Sequence, residues 1–198
     1  MAYLVSKNDS DMVDYFVTDS LWCDEVNPKG MLYNGPVLKY GAPRCDALYG
    51  DREKKKKEFR EIHKLPLESK LVMFAPTFRE GSVNGKRTVF SEIWSLDFKR
   101  LLKNLTERFG GDWYICLRVH PQLADKMSGY KDSELGSRII NESKADDMYE
   151  ILAAMDMFIT DYSSAAMDAC LCKMPVYLYA DDIEQYTKDR GSLLWNLS

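Results

Sequence analysis

A chain of 198 residues that is 45% hydrophobic and 29% charged has the make-up of a folded globular protein and excludes a disordered or fibrous one. Its formal charge of −4 argues against nucleic acid as a partner, since a dedicated binder presents a basic field. No apolar run approaches the length of a membrane span, and residues 1–9 do not read as a signal peptide.

The first 65 residues are irregular. Strand-like runs occupy 15–18 and 37–40, and 41–46 reads as a turn carrying Arg44. A charged helix is expected over 51–64. Its Lys54–Lys57 run lies among Asp51, Glu53, Glu58 and Glu61, as on a solvated helix face. From residue 68 onward, strand-like and helix-like segments alternate. Strands are expected at 71–75, 113–119, 138–141, 155–160 and 175–179. Helices are expected at 92–109, closed by Gly110-Gly111, and at 146–154, 163–172 and 181–189. Nearly continuous apolar strands separated by helices imply an α/β fold: a Rossmann-like parallel sheet with helices on both faces. The reading divides the chain into 1–65, a connecting segment ending a preceding lobe, and 66–198, the Rossmann-like lobe. The apolar stretch at 193–198 has no stop signal, so the chain reads as truncated at its C-terminus. The odd set Cys23, Cys45, Cys116, Cys170 and Cys172 has no zinc-like spacing and implies a reduced, cytoplasmic protein, with Cys116 and Cys170 as small buried hydrophobes.

Ligands of such sheets bind at the carboxyl ends of the strands, where the chemistry-bearing residues of this chain collect. The run 158–168 is a strand breaking into Asp161-Tyr162-Ser163-Ser164 and then a helix. A helix start exposes N–H groups, Ser163 and Ser164 add hydroxyls, and Asp168 follows one turn later, so a phosphorylated ligand fits there. Capping by Asp161 or Ser163 is the bland alternative and is compatible with it. Arg118-Val119-His120-Pro121 ends another strand. A histidine there can bind phosphate or act as general acid toward a leaving phosphate oxygen, although a packing histidine is the plain alternative. After the first strand of this series, Pro76-Thr77-Phe78-Arg79 offers a hydroxyl, an N–H group and a guanidinium fork, although taken alone a simple strand-ending turn is the plainer reading. His63, in a charged context, reads as structural or merely solvated. Walker, dinucleotide-fingerprint and Gly-x-Ser-x-Gly patterns are missing. No metal or cofactor is expected, and phosphate falls to hydroxyls, N–H groups, Arg and His.

Taken in order, Gly41-Ala42-Pro43-Arg44-Cys45-Asp46, Ala75-Pro76-Thr77-Phe78-Arg79, Leu117-Arg118-Val119-His120-Pro121 and Ile159-Thr160-Asp161-Tyr162-Ser163-Ser164 with Asp168 resemble the CDP-glycerol glycerophosphotransferases, the teichoic acid glycerol-phosphate primases and polymerases. The downstream 175–179 strand, Tyr186 and Arg190-Gly191 also fit. The resemblance implies the donor-binding lobe of a two-lobed GT-B fold. It implies that Arg44, Pro76, Thr77, Arg118, His120, Ser163, Ser164 and Asp168 line a CDP-glycerol site, with His120 catalytic. The reaction implied is transfer of glycerol phosphate to a hydroxyl of a lipid-linked polymer acceptor, at the inner face of the cell membrane, with release of CMP. The family's second histidine has no counterpart, since His63 follows the Arg44 motif. Two alternatives stand beside this: a GT-B lobe of a sugar-nucleotide glycosyltransferase or epimerase, and a non-catalytic domain that recognises a phosphorylated ligand.

Overall fold

The computed structural model describes residues 2–77, 80–83, 86–89, 95–119 and 135–190, which form two compact units, 1–47 and 48–198. In the first unit, helix α1 (Ala2–Asp11) precedes β1 (Phe16–Val17), α2 (Leu21–Gly30) and β2 (Val37–Leu38). The two strands pair in parallel, Phe16 opposite Val37. Tyr33 is buried against Phe16 and donates its hydroxyl to the carbonyls of Asp14 (2.9 Å) and Pro36 (3.0 Å). Neither helix is expected from the sequence. The apolar residues of α1, Tyr3, Leu4 and Val5, are consecutive and exposed, and α2 carries Pro28 within its last turn, where the sequence reads as a break.

The division falls within the short helix α3 (Asp46–Tyr49), and the second unit is built on a five-stranded sheet. Helix α4 (Arg52–Ile62) leads into β3 (Lys70–Phe74). A small antiparallel hairpin of β4 (Glu80–Val83) and β5 (Lys86–Val89) follows, with no forerunner in the sequence reading. Then come α5 (Phe98–Phe109), β6 (Trp113–Leu117), β7 (Ile139–Asn141), α6 (Met148–Ala153), β8 (Met157–Thr160), α7 (Ala165–Cys170), β9 (Val176–Leu178) and α8 (Ile183–Arg190). The strand order is β7-β6-β3-β8-β9 and every pair is parallel, which is the Rossmann-like sheet the alternation implies.

Alternate residues of each strand feed two cores. Val72, Phe74, Ile115, Leu117, Met157 and Ile159 pack with Phe98 and Leu105 of α5 on one face. Leu71, Met73, Cys116 and Phe158 pack with Phe59 of α4, Ile151 and Leu152 of α6, and Ala165 and Ala169 of α7 on the other. Asp97 caps α5 through the Arg100 N–H, and Gly110, at φ 63°, ends it as expected. Among the described residues this helix begins at Phe98: residues 95–97, expected within it, are not helical because Asp97 is its extended cap, and 92–94 lie outside the described residues.

Two expectations change. Cys170 is exposed, because it sits on the outer side of the last turn of α7 while Ala169 faces the core. The Lys54–Lys57 run is only half a solvated face. Lys54 and Lys57 pair along the helix with Glu58 and Glu61, but Lys55 reaches Glu150 and Lys56 reaches Asp156, both mostly covered. Two arginines anchor the same helix at the amino ends of the strands. Arg60, 7% exposed, donates to the Ser69 carbonyl and pairs with Asp156 at 3.0 Å. Arg52 donates to the carbonyls of Ala153, Met155 and Cys172.

Candidate functional site

The order β7-β6-β3-β8-β9 reverses direction at β3, so the loops leaving β3 and β8 diverge to α5 on one face and α7 on the other. A crevice outside the carboxyl ends of two such strands is where open α/β sheets bind ligands. Pro76 and Thr77 lie on the β3 side of it and residues 161–164 on the β8 side. Their bases are joined by side chains. The Thr160 hydroxyl donates to the Ala75 carbonyl (2.7 Å), and one oxygen of the Asp161 carboxylate accepts the N–H groups of Thr77 and Tyr162, both at 2.7 Å. Thr160 and Asp161 are buried. The Thr77 N–H expected to meet a ligand is therefore committed to Asp161, and the Thr77 hydroxyl oxygen is buried. Asp161 braces the two loops and does not cap α7.

The turn that follows has donors to spare. Ser163 accepts the Ala165 N–H on its hydroxyl and the Ala166 N–H on its carbonyl, and Ser164 accepts those of Met167 and Asp168. Among the described residues, the N–H groups and hydroxyl protons of Ser163 and Ser164 donate to nothing. Ser164 is exposed and Ser163 partly so. Helix α7 has only six residues, so this cluster of turn N–H and hydroxyl groups, more than a long helix dipole, suits an anion. One turn on, Asp168 is 7% exposed, and its carboxylate accepts the hydroxyl of Tyr149 from α6. A carboxylate is an acceptor only and suits a ligand hydroxyl better than a phosphate oxygen. Tyr162 stacks on Tyr186 of α8, ring centroids 3.8 Å apart, and donates to Asp182.

Arg118 follows β6, the other neighbour of β3, and its N–H bonds the Phe74 carbonyl at 3.0 Å. One guanidinium nitrogen is held by the Glu142 carbonyl, while its other N–H groups have no partner among the described residues. The same strand end is supported by the buried Ser143, whose hydroxyl accepts the Val119 N–H. Beneath it Cys116 is fully enclosed. Burial, reinforced by the Glu142 carboxylate and only partly opposed by Arg118, pushes its thiol far up, so it is no nucleophile. His63 is structural as expected: it lies 3.2 Å from Glu142 and packs on Phe59. Arg44 belongs to the first unit, in a turn of 3₁₀ helix at Pro43–Cys45, and faces Asp19 at 3.8 Å. His120, Pro121, Phe78, Arg79 and Gly191 lie outside the described residues.

Of the residues the sequence reading expects at a site, Pro76, Thr77, Arg118, Ser163, Ser164 and Asp168 lie at one sheet edge of the second unit. The reading missed the brace made by Thr160 and Asp161. Two hydrogen-bonding side chains directly after an apolar strand were the available signal. It also missed Tyr149, for which a separation of 19 residues from Asp168 gives no local signal.

The sequence model of the family described as CDP-Glycerol:Poly(glycerophosphate) glycerophosphotransferase matches residues 5–195. A teichoic acid poly(glycerol phosphate) polymerase of Staphylococcus epidermidis is 30% identical over 190 residues, covering 94% of this chain and 23% of the relative. A teichoic acid glycerol-phosphate primase of Bacillus spizizenii is 29% identical over 154 residues, covering 78% and 36%. Among solved structures, a variant of the wall teichoic acid polymerase TagF soaked with CDPG superposes with a TM-score of 0.72 at 26% identity, over 95% of this chain and 43% of that one. The chain thus spans less than half the length of each of these relatives.

Proposed function

Because this chain belongs to the CDP-glycerol:poly(glycerophosphate) glycerophosphotransferase family, we propose that it forms the donor-binding part of a GT-B transferase. That part moves glycerol phosphate from CDP-glycerol to a hydroxyl of a lipid-linked polymer acceptor and releases CMP. In this reading the second unit is the nucleotide-binding lobe and the first is the end of a preceding lobe. The observation that carries it is the set of donors on Ser163 and Ser164 that bond nothing among the described residues, at the same sheet edge as Thr77 and Asp168.

The serines and the Arg118 fork hold the pyrophosphate and stabilise the charge that builds on it as the phosphoanhydride breaks. Asp168 accepts a hydroxyl of the nucleotide or polyol. By family resemblance, Arg44 and Pro76 are donor-binding residues and His120 acts as general acid toward the leaving CMP. The enzyme works at the inner face of the cell membrane, held there peripherally. Among the described residues no helix is long and apolar enough to cross a membrane.

Calorimetry with CDP-glycerol, CMP, CDP-ribitol and a UDP-sugar tests the reading. Binding of CDP-glycerol or CMP in preference to the UDP-sugar is expected. Well-folded protein that binds no cytidine nucleotide would sink it. One observation favours a second reading, recognition without turnover. Within this sequence, His63 follows the Arg44 motif and lies 3.2 Å from Glu142, so it does not serve as the family's acceptor-activating histidine. An assay of CMP release with acceptor present separates the two.

A further inference from the structure

In a parallel pair, each inward residue of one strand bridges two residues of its neighbour, so the register Phe74 opposite Ile159 dictates what comes next. The Ala75 N–H bonds the Ile159 carbonyl at 3.0 Å, as it should. The following rungs would join the Ala75 carbonyl to the Asp161 N–H and the Thr77 N–H to the Asp161 carbonyl. Both rungs are carried by side chains: the Thr160 hydroxyl serves the Ala75 carbonyl and the Asp161 carboxylate serves the Thr77 N–H. On the opposite side of β3, Pro76 has no N–H to offer Arg118, so pairing with β6 cannot continue through it. The sheet thus stops on the β6 side while β3 and β8 stay fastened for one further step. They are fastened where their loops turn to opposite faces and would otherwise spread apart.

We infer that Asp161, assisted by Thr160, is a positioning residue: it closes the floor of the crevice and sets the spacing between Thr77 on one wall and the Ser163–Ser164 donors on the other. The inference rests on the donor-site reading above and adds to it the group that makes the two walls act on one pyrophosphate. Its carboxylate is needed as a double hydrogen-bond acceptor. Its charge is a liability beside a phosphate, which is why two N–H groups converge on one of its oxygens.

The test is CDP-glycerol affinity by calorimetry, in which the fitted stoichiometry counts folded sites, alongside thermal melting. Asp161→Ala removes the acceptor and is expected to weaken binding at least tenfold. Asp161→Asn, whose amide oxygen still accepts both N–H groups, is expected to stay within threefold of wild type or to bind tighter. Thr160→Val, nearly isosteric, removes only the other rung and is expected to cost about fivefold, so the idea remains testable if Asp161→Ala fails to fold. A merely structural role lowers the melting temperature of these variants and leaves the affinity of the folded sites unchanged. A double-mutant cycle adds a second readout: Thr77→Ala and Ser164→Ala are expected to be non-additive in wild type and additive in Asp161→Ala. Wild type that binds CDP-glycerol while Asp161→Ala and Thr160→Val bind equally well overturns this inference alone. Wild type that binds no cytidine nucleotide overturns the donor-site reading, and the inference falls with it.

Discussion

Among the described residues, the N–H groups and hydroxyl protons of Ser163 and Ser164 donate to no protein acceptor, and these two neighbouring residues are left to solvent or to a ligand. Hydrogen bonds to a charged partner contribute about 1.5–3 kcal/mol, so Ser164→Ala is expected to weaken CDP-glycerol binding roughly tenfold or more without lowering stability. Titration calorimetry beside a denaturation curve checks both halves. A second residue speaks for the first unit. The Thr18 hydroxyl, and then Lys39 at 2.9 Å, hold the Asp24 carboxyl below the usual carboxylate range. A carboxyl lowered by folding stabilises at pH above its unfolded value, and that stability is lost as pH falls through the folded one. Acid unfolding followed by Trp22 fluorescence, from the helix that carries Asp24, is therefore expected to begin at higher pH in Asp24→Asn. These residues differ in legibility. Ser163, Ser164 and Asp168 announce themselves within one short run. Thr18, Asp24 and Lys39 meet only because β1 and β2 pair.

At the scale of elements, α4 reads from sequence as a charged surface helix, and its boundaries at Arg52–Ile62 agree with that. Its attachment does not read from sequence. Arg60 is buried because the Ser69 carbonyl, Asp156 and the Lys56 carbonyl surround the guanidinium, and these partners come from three separate places in the chain. Arg60→Ala leaves buried acceptors unserved and is expected to cost about 2–4 kcal/mol, measured as a lower urea midpoint. Lys54→Ala, on the exposed side, is expected to change stability by less than about 0.5 kcal/mol in the same measurement. The central strands β3, β6 and β8 were the easiest elements to read, since each is a nearly unbroken apolar run buried on both faces. The β4–β5 hairpin and the helices α1 and α2 were not, because their pattern is weak and their form depends on neighbours.

For the molecule as a whole, the sheet couples the core to the site, since β8 carries Phe158 inside and Thr160 and Asp161 at its end. Phe158 is fully enclosed among α4, α6 and α7. Phe158→Ala is expected to destabilise by about 3–5 kcal/mol, seen in chemical denaturation. Periodicity, apolar runs and breakers are local properties, so the sequence by itself determined the α/β class, the strand and helix sites of the second unit, and most of the residues at its carboxyl edge. Strand order is a property of long-range pairing and was decided only in the tertiary structure. Placing β3 between β6 and β8 brought Thr77 within hydrogen-bonding reach of a carboxylate 84 residues away and made Asp161, one of the two residues named by the capping alternative, the brace between two loops. It also brought Tyr149 to Asp168 and consumed the Thr77 N–H, because a buried polar group takes whichever partner the packed chain presents and not the one its sequence neighbours suggest.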